Sequence, residues 1–345
     1  MNVLNPQEWL NNEYELLIDA RSPSEFKHSH IIGAKNFYTL DDNQHSEVGT
    51  IYKHNKLDAK VIGARYACIN IASSLDDIHS LIRPYSKIGI YCARGGQRSE
   101  SFGIVLSQIG YNVFKLKGGY KEYRNYILSC FDKDFSVFDL KLLSLCGNTG
   151  VGKSRLLANF QNSIDLESMA KHYGSVFGVV AGTQPNQKYF DDLLFNKILN
   201  LKKQNAKTVF IEAESRKIGK IILGASMYEY MSKAFKIWCE CSMELRILRC
   251  VDDYKNINEQ TFNNCLLRLK PYISNDVMCY LKKQFDLKNY NDVARVLLKD
   301  YYDKVYKKPE NIDYKINLDD IEKATADLKQ LEASLLKQKS QTSDI

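Results

Sequence analysis

Two short runs hold most of the residues whose type and spacing suit chemistry. The first is Cys92-Ala93-Arg94-Gly95-Gly96-Gln97-Arg98-Ser99. Glycines let the backbone curl, so that several N–H groups can converge on one spot. The start of a helix just beyond adds partial positive charge. A thiol held in such a loop is set up as a nucleophile, and the same cradle suits an oxyanion such as phosphate or sulfate. Cys92, Arg94 and Arg98 are therefore the catalytic candidates. The plainer alternative is a buried strand-end cysteine followed by turn glycines. Packing alone does not explain two arginines placed directly behind the thiol.

The second run is Gly147-Asn148-Thr149-Gly150-Val151-Gly152-Lys153-Ser154, which fits GxxxxGK[ST] at every fixed position. It follows an apolar strand and precedes a helical stretch from Arg155 to Phe160, the context that a phosphate loop requires. Backbone N–H groups wrap a phosphate, Lys153 neutralises charge, and the Ser154 hydroxyl can hold a metal ion such as Mg2+. The motif specifies a polyphosphate and does not specify ATP. Glu212 and Glu214 close the next apolar strand, where a metal-binding acid often sits; they also read as solvated strand-end charges. Neither is the usual Asp, which counts against Mg-ATP hydrolysis. Arg216 and Lys217 can face phosphates. Arg246 and Arg249 suit phosphate contact or pairing with surface acids. His28 and His30 invite a metal reading but lack a third ligand, so no metal site is assigned to them.

These runs need elements to position them. Glu15–Asp19, Lys87–Cys92 and Asn112–Leu116 read as strands, with a helix from Ser99 to Ile109 whose apolar positions Phe102, Val105, Leu106 and Ile109 share a face. Leu140–Leu145, Thr208–Glu212 and Phe235–Cys239 read as further strands. Strands alternating with helices predict an α/β chain with mainly parallel sheets. Beyond Asn258 the expectation is helix throughout, ending in an amphipathic helix over Leu318–Leu336 capped by Asp319 or Asp320 and a polar end from about Lys337. The domain reading is 1–133, then a P-loop core at 134–257, then a helical C-terminal extension at 258–345.

Composition narrows the class. The chain has 345 residues, 44% hydrophobic and 26% charged, which excludes bulk disorder, collagen-like repeats and a coiled-coil rod. No apolar run approaches the roughly 18–20 residues of a membrane span. The N-terminus lacks the features of a secretory signal. A net charge of +7 permits an anionic partner such as RNA without demanding one. The 9 cysteines are scattered without CxxC spacing, which fits a reducing cytoplasm better than a disulfide framework.

From about residue 5 to about residue 128 the sequence resembles the rhodanese family. The resemblance rests on Leu17-Ile18-Asp19-Ala20-Arg21-Ser22-Pro23-Ser24-Glu25-Phe26, His30–Asn36, the cysteine loop and Leu116-Lys117-Gly118-Gly119-Tyr120. In that family the cysteine carries sulfur as a persulfide. Arg98 stands six residues after Cys92, one more than in the usual sulfur-transferring loop and equal to the length in related phosphatases. A longer loop makes a wider cradle, able to accept a phosphate-bearing or selenium-bearing donor.

A rhodanese-like domain followed by a P-loop domain resembles the tRNA 2-selenouridine synthase family. The resemblance extends through Glu47–Lys53, Asp58-Ala59, Gly63, Asp165–Glu167, His172–Gly178 and Glu212–Gly219. The family commonly has Trp and Met where this chain has Ala93 and Gln97, which puts fine substrate preference in question more than activity. The resemblance implies a tRNA carrying 2-thiouridine at the wobble position. It also implies alkylation of that sulfur by geranyl diphosphate, then replacement of the S-geranyl group by selenium from selenophosphate, which a selenophosphate synthetase would supply. No tightly bound cofactor is expected. Cys92 would carry selenium or assist departure of the geranylthiol. The geranyl chain needs an apolar groove, with Phe177, Tyr189, Phe190 and Leu193 as candidates. RNA contact would come from Lys202-Lys203, Lys282-Lys283 and Lys307-Lys308, with Tyr301, Tyr302 and Tyr306 nearby. The competing functions are a rhodanese-fused P-loop kinase or NTPase, and a persulfide-sensing module without catalysis. The oligomeric state is left open.

Overall fold

The computed structural model describes residues 1–342. The chain divides into two compact units, Met1–Cys130 with Asp191–Asn196, and Phe131–Phe190 with Lys197–Ile345.

The first unit is built on β1 (Asn2–Leu4), β2 (Leu16–Asp19), β3 (Ala34–Asn36), β4 (Lys87–Tyr91) and β5 (Asn112–Leu116). They form one parallel sheet in the order β1-β5-β4-β2-β3. A parallel sheet is covered on both faces, so its strands are continuously apolar; Ile18, Ile88 and Ile90 are fully buried. Ala67, Ile71 and Ile78 of the helix Lys56–Leu81 and Phe102 and Leu106 of the helix Gln97–Gln108 join this core. Local signals set the helix starts. Asn5 caps Pro6–Leu10 in a reciprocal bond with Glu8, and Ser22 with Glu25 does the same for Pro23–His28.

The second unit contains β6 (Lys141–Cys146), β7 (Ser163–Ile164), β8 (Thr208–Glu212), the short hairpin strands β9 (Lys217–Ile218) and β10 (Ile221–Ile222), β11 (Phe235–Glu240) and β12 (Tyr314–Asn317). Its main sheet is parallel in the order β12-β11-β6-β8-β7. Leu143, Leu145, Phe210 and Ile237 fill the interior, and the helix Ile321–Thr342 closes one face with Ala324 and Leu328. The stretch around Asp134 is packed. Phe135 and Phe138 lie with ring centroids 5.2 Å apart, and Phe135 is 5.4 Å from the ring of Tyr230.

β12 corrects the all-helical expectation for the region after Asn258. Tyr-Lys-Ile-Asn is too short to show a period, and only Ile316 of the four is buried. Its pairing with β11 over four residues makes it a strand. The final helix starts at Ile321, with the Lys323 amide donating to Asp320 at 2.9 Å. The polar end named above continues this helix to Thr342, and residues 343–345 lie outside the described residues. Among the described residues no helix is long and apolar enough to cross a membrane.

Ile316→Ala tests whether β12 belongs to the core. It should destabilise the second unit by about 2–5 kcal/mol in denaturant unfolding, because it leaves a cavity under the final helix. A loss near zero would make β12 a surface appendage.

Candidate functional site

Cys92 follows β4, the middle strand of its sheet, and is 3% exposed. The Ser99 hydroxyl donates to its sulfur at 3.2 Å, and Sγ lies 3.8 Å from the Gly96 carbonyl. Gly95 sits at φ +64°, and a Cβ there would come within 2.8 Å of the Gly118 nitrogen. The loop is thus folded tightly against Gly118-Gly119, which only glycine permits. The Tyr120 and Lys121 amides lock it from that side by donating to the carbonyls of Cys92 and Ala93 at 2.8 and 3.0 Å.

The two arginines of the loop have different settings. Arg94 is exposed. Arg98 is drawn to Glu25, with Nη1 2.6 Å from Oε2. Burial alone would raise the Glu25 carboxyl, and the Arg98 pair outweighs it and holds the group below the usual carboxylate range. Glu25 also accepts from the Ser22 amide at 3.0 Å, so one side chain caps a helix and orients the loop arginine. Deeper in, Asp19 and Arg21 form a buried pair at 2.6 Å, with the Arg21 guanidinium 4.1 Å from the centroid of the Tyr120 ring. The motif Asp19-Ala20-Arg21 is therefore scaffolding behind the loop. Cys92, Arg94, Gln97 and Arg98 open on a groove of about 990 Å³ within the first unit.

The phosphate loop follows β6, again the middle strand. Gly152 has φ +96°, and a Cβ there would lie 2.8 Å from Nη1 of Arg249. Arg246 and Arg249 are engaged with the loop itself. Arg246 donates to the Thr149 carbonyl at 3.0 Å and pairs with Asp303 at 2.6 Å. Arg249 donates to the carbonyls of Val151 at 2.5 Å and Leu318 at 2.7 Å. They hold loop carbonyls, which leaves the opposite, amide side of those peptides for the anion. Arg249 also lines the cavity beside the loop, and the acid that Arg246 pairs with is Asp303. Both arginines are buried, on the inner face of the helix Met243–Tyr254.

Glu212, at the end of β8, accepts from the Ser154 hydroxyl at 2.7 Å. Glu167, Glu212 and Glu214 bring carboxylate oxygens within 4.8 Å of one another, the group among the described residues able to hold a cation. Glu167 was legible only as part of a resemblance, because it comes from the short helix Leu166–Ala170 and is remote from the loop in sequence. Burial first raises all three carboxyls above the glutamate range; repulsion from Glu212 and Glu214 adds to it at Glu167, and from Asp165 and Glu214 at Glu212, while at Glu214 burial outweighs the pull of Lys153. Burial would lower Lys153, but these carboxylates outweigh it and hold the ammonium above its ordinary value. The donor set of hard oxygens fits Mg2+. Lys153 and Glu214 line a cavity of about 410 Å³ with Tyr173, Tyr302 and Tyr306. Arg216 does not join it and donates to the Leu223 carbonyl at 3.2 Å.

His30 stacks on Phe26 with centroids 3.9 Å apart and bonds its carbonyl at 2.9 Å. Of the four apolar-groove candidates, Phe177 lines a narrow cavity of about 70 Å³, whereas Phe190 is fully buried and neither Tyr189 nor Leu193 lines that cavity. Tyr301, Tyr302 and Tyr306 line the phosphate cavity, and Tyr306 accepts from the Gly147 amide at 3.1 Å. Lys308 lies over Trp238, 4.6 Å from the ring centroid, and Lys202 bonds the Val137 carbonyl at 3.2 Å.

A thiol in a glycine cradle on one parallel sheet and a phosphate loop on another define a rhodanese-like unit and a P-loop unit in one chain. Residues 6–126 match the rhodanese-like domain family, and residues 140–268 match the tRNA 2-selenouridine synthase AAA domain. A tRNA 2-selenouridine synthase of Hydrogenovibrio crunogenus is 28% identical over 88% of this chain and 92% of its own length. One from Psychromonas ingrahamii is 30% identical over 72% of this chain and 68% of its own. One from Nitrosomonas europaea is 34% identical over 69% of this chain and 63% of its own, so this match spans less than two thirds of that relative. The chain belongs to the tRNA 2-selenouridine synthase family.

The carboxyl cluster makes stability depend on pH. Its members keep protons in the fold at pH values where the unfolded chain has released them. The associated stability is full below the ordinary glutamate range and is lost as pH rises through the raised folded values. Thermal melting should therefore drop between about pH 5 and about pH 9, and Glu212→Gln should flatten the slope. At roughly 2–4 °C per kcal/mol the change is measurable by calorimetry. An identical slope in the variant would remove the cluster as its cause.

Proposed function

We propose that this protein converts wobble 2-thiouridine of tRNA to 2-selenouridine in the cytoplasm, with S-geranyl-2-thiouridine as the intermediate. The observation that carries the reading is the partnership of cavities around the phosphate loop. The polar cavity holding Lys153 shares Thr149, Cys250, Tyr254 and Tyr302 with the narrow apolar cavity walled by Phe177, Phe262 and Phe285. A polar cavity at the phosphate loop adjoining an apolar one supports a ligand with a phosphate head and a hydrocarbon end.

In the first step the thione sulfur, a soft nucleophile, attacks C1 of the geranyl group. The C1–O bond breaks and diphosphate leaves with the electron pair, while the base gives up its N3 proton. Lys153 and the loop amides stabilise the charge that grows on the diphosphate. Ser154, Glu212, Glu167 and Glu214 would hold Mg2+, which would neutralise part of that charge when bound. In the second step the C2–S bond gives way to a C2–Se bond, and geranylthiol departs with its sulfur and a proton. Selenophosphate, from a separate synthetase, releases phosphate as water opens its P–Se bond. The Cys92 cradle suits that anion, with Arg98 and Arg94 on the same groove.

The experiment is nucleoside mass analysis of 2-thiouridine tRNA incubated with the protein, first with geranyl diphosphate and then with selenophosphate. A geranyl mass gain followed by the seleno product supports the reading. No mass change, with ATP turnover alongside, would favour the fused kinase instead. Cys92→Ala should impair selenation more than geranylation, and Lys153→Ala should impair geranylation, each by about a hundredfold or more. Equal loss of both steps in both variants would argue for a single shared site.

A further inference from the structure

The groove beside Cys92 is far larger than a phosphate-sized or selenophosphate-sized donor needs, at about 990 Å³. Its long wall is the helix Lys56–Leu81, and the lining residues follow its helical repeat. Ala59, Gly63, Ala67, Ile71 and Leu75 recur at every fourth position, and Ala64, Cys68 and Ala72 form the adjacent row. From Ala59 to Leu75 the wall runs for about 24 Å at the rise of an α-helix. The small side chains make it a trough instead of a ridge. Val48 and Tyr52 of the helix Asp42–His54 face it with Ile104 and Val105 of the helix Gln97–Gln108. Arg94, Arg98 and Gln97 stand with the thiol in the lining. The site is therefore amphiphilic: the thiol with charged groups of both signs, Arg94, Arg98, Glu25 and Glu100, at one end, and hydrocarbon along the helices.

We infer that this groove seats the prenyl tail of the S-alkylated uridine during the exchange step, so that the first unit recognises its substrate by the tail as well as by the base. The inference rests on the two-step reading above. The tail fixes the alkylated base beside Cys92 while C2–S breaks and C2–Se forms, and geranylthiol leaves along the trough. A donor-only cradle would need no such wall.

The test is calorimetric binding of full-length protein to an anticodon stem-loop carrying S-geranyl- or S-methyl-2-thiouridine. Ala64→Trp and Ala72→Trp fill the trough from exposed positions, so the fold is retained, as unchanged melting would verify. The unmodified protein should bind the geranyl RNA about tenfold or more tightly than the methyl RNA. Both tryptophan variants should lose that preference, and Lys153→Ala should keep it. A preference that survives both tryptophans, or that disappears in Lys153→Ala alone, places the tail elsewhere and overturns the inference. Absence of any preference in the unmodified protein overturns it too. The two-step reading stands or falls separately, on the mass of the nucleoside products.

Discussion

Both candidate sites depend on one constraint: a loop leaving the carboxyl end of the middle strand of a parallel sheet. β4 has two strands on each side, and so does β6. A middle strand cannot move without breaking ladders on both edges, so the residue after it is fixed to a degree that an edge loop is not. Ligands of open α/β sheets bind outside the carboxyl ends of the strands. The first sheet places a thiol there and the second an ammonium. Each loop then curls back through glycines at positive φ and opens onto a helix start.

What surrounds each loop decides what it can bind. At Cys92 the nearby ionic groups are largely balanced in pairs, Asp19 with Arg21 and Glu25 with Arg98. Burying such pairs contributes little net stability, but it holds the frame in one arrangement. At the phosphate loop the balance is unequal, with three carboxyls crowding Lys153. Bringing any phosphate anion beside those carboxylates is unfavourable unless protons or a cation reduce their charge. Ligand binding at this loop is therefore tied to the protonation of Glu167, Glu212 and Glu214.

The sequence shows the skeleton because the skeleton is local. Strands ending at Asp19, Glu212 and Leu116 are runs of apolar residues, and the two loops are contiguous motifs whose spacing is the signal. What it hides is non-local or very short. Strand β12 has one buried side chain and is defined only by its partner β11. Glu167 and Asp303 reach the phosphate loop from remote segments. Arg246 and Arg249 are predictable as helix residues beside the loop, but the direction of their guanidinium groups depends on carbonyls that exist only once the loop has curled.

Peptide carbonyl and amide point in opposite directions, so an arginine bound to the Thr149 or Val151 carbonyl orients the amide on the other side of the same peptide. Arg246 is itself held by Asp303, and the Asn148 side-chain Nδ2 also donates to Asp303, at 2.8 Å. The loop is thus preorganised by buried side chains before any anion arrives, and little reorganisation remains when an anion binds there. Prior ordering of donors, more than the presence of a lysine, separates an anion site from a glycine turn that closes a βα unit.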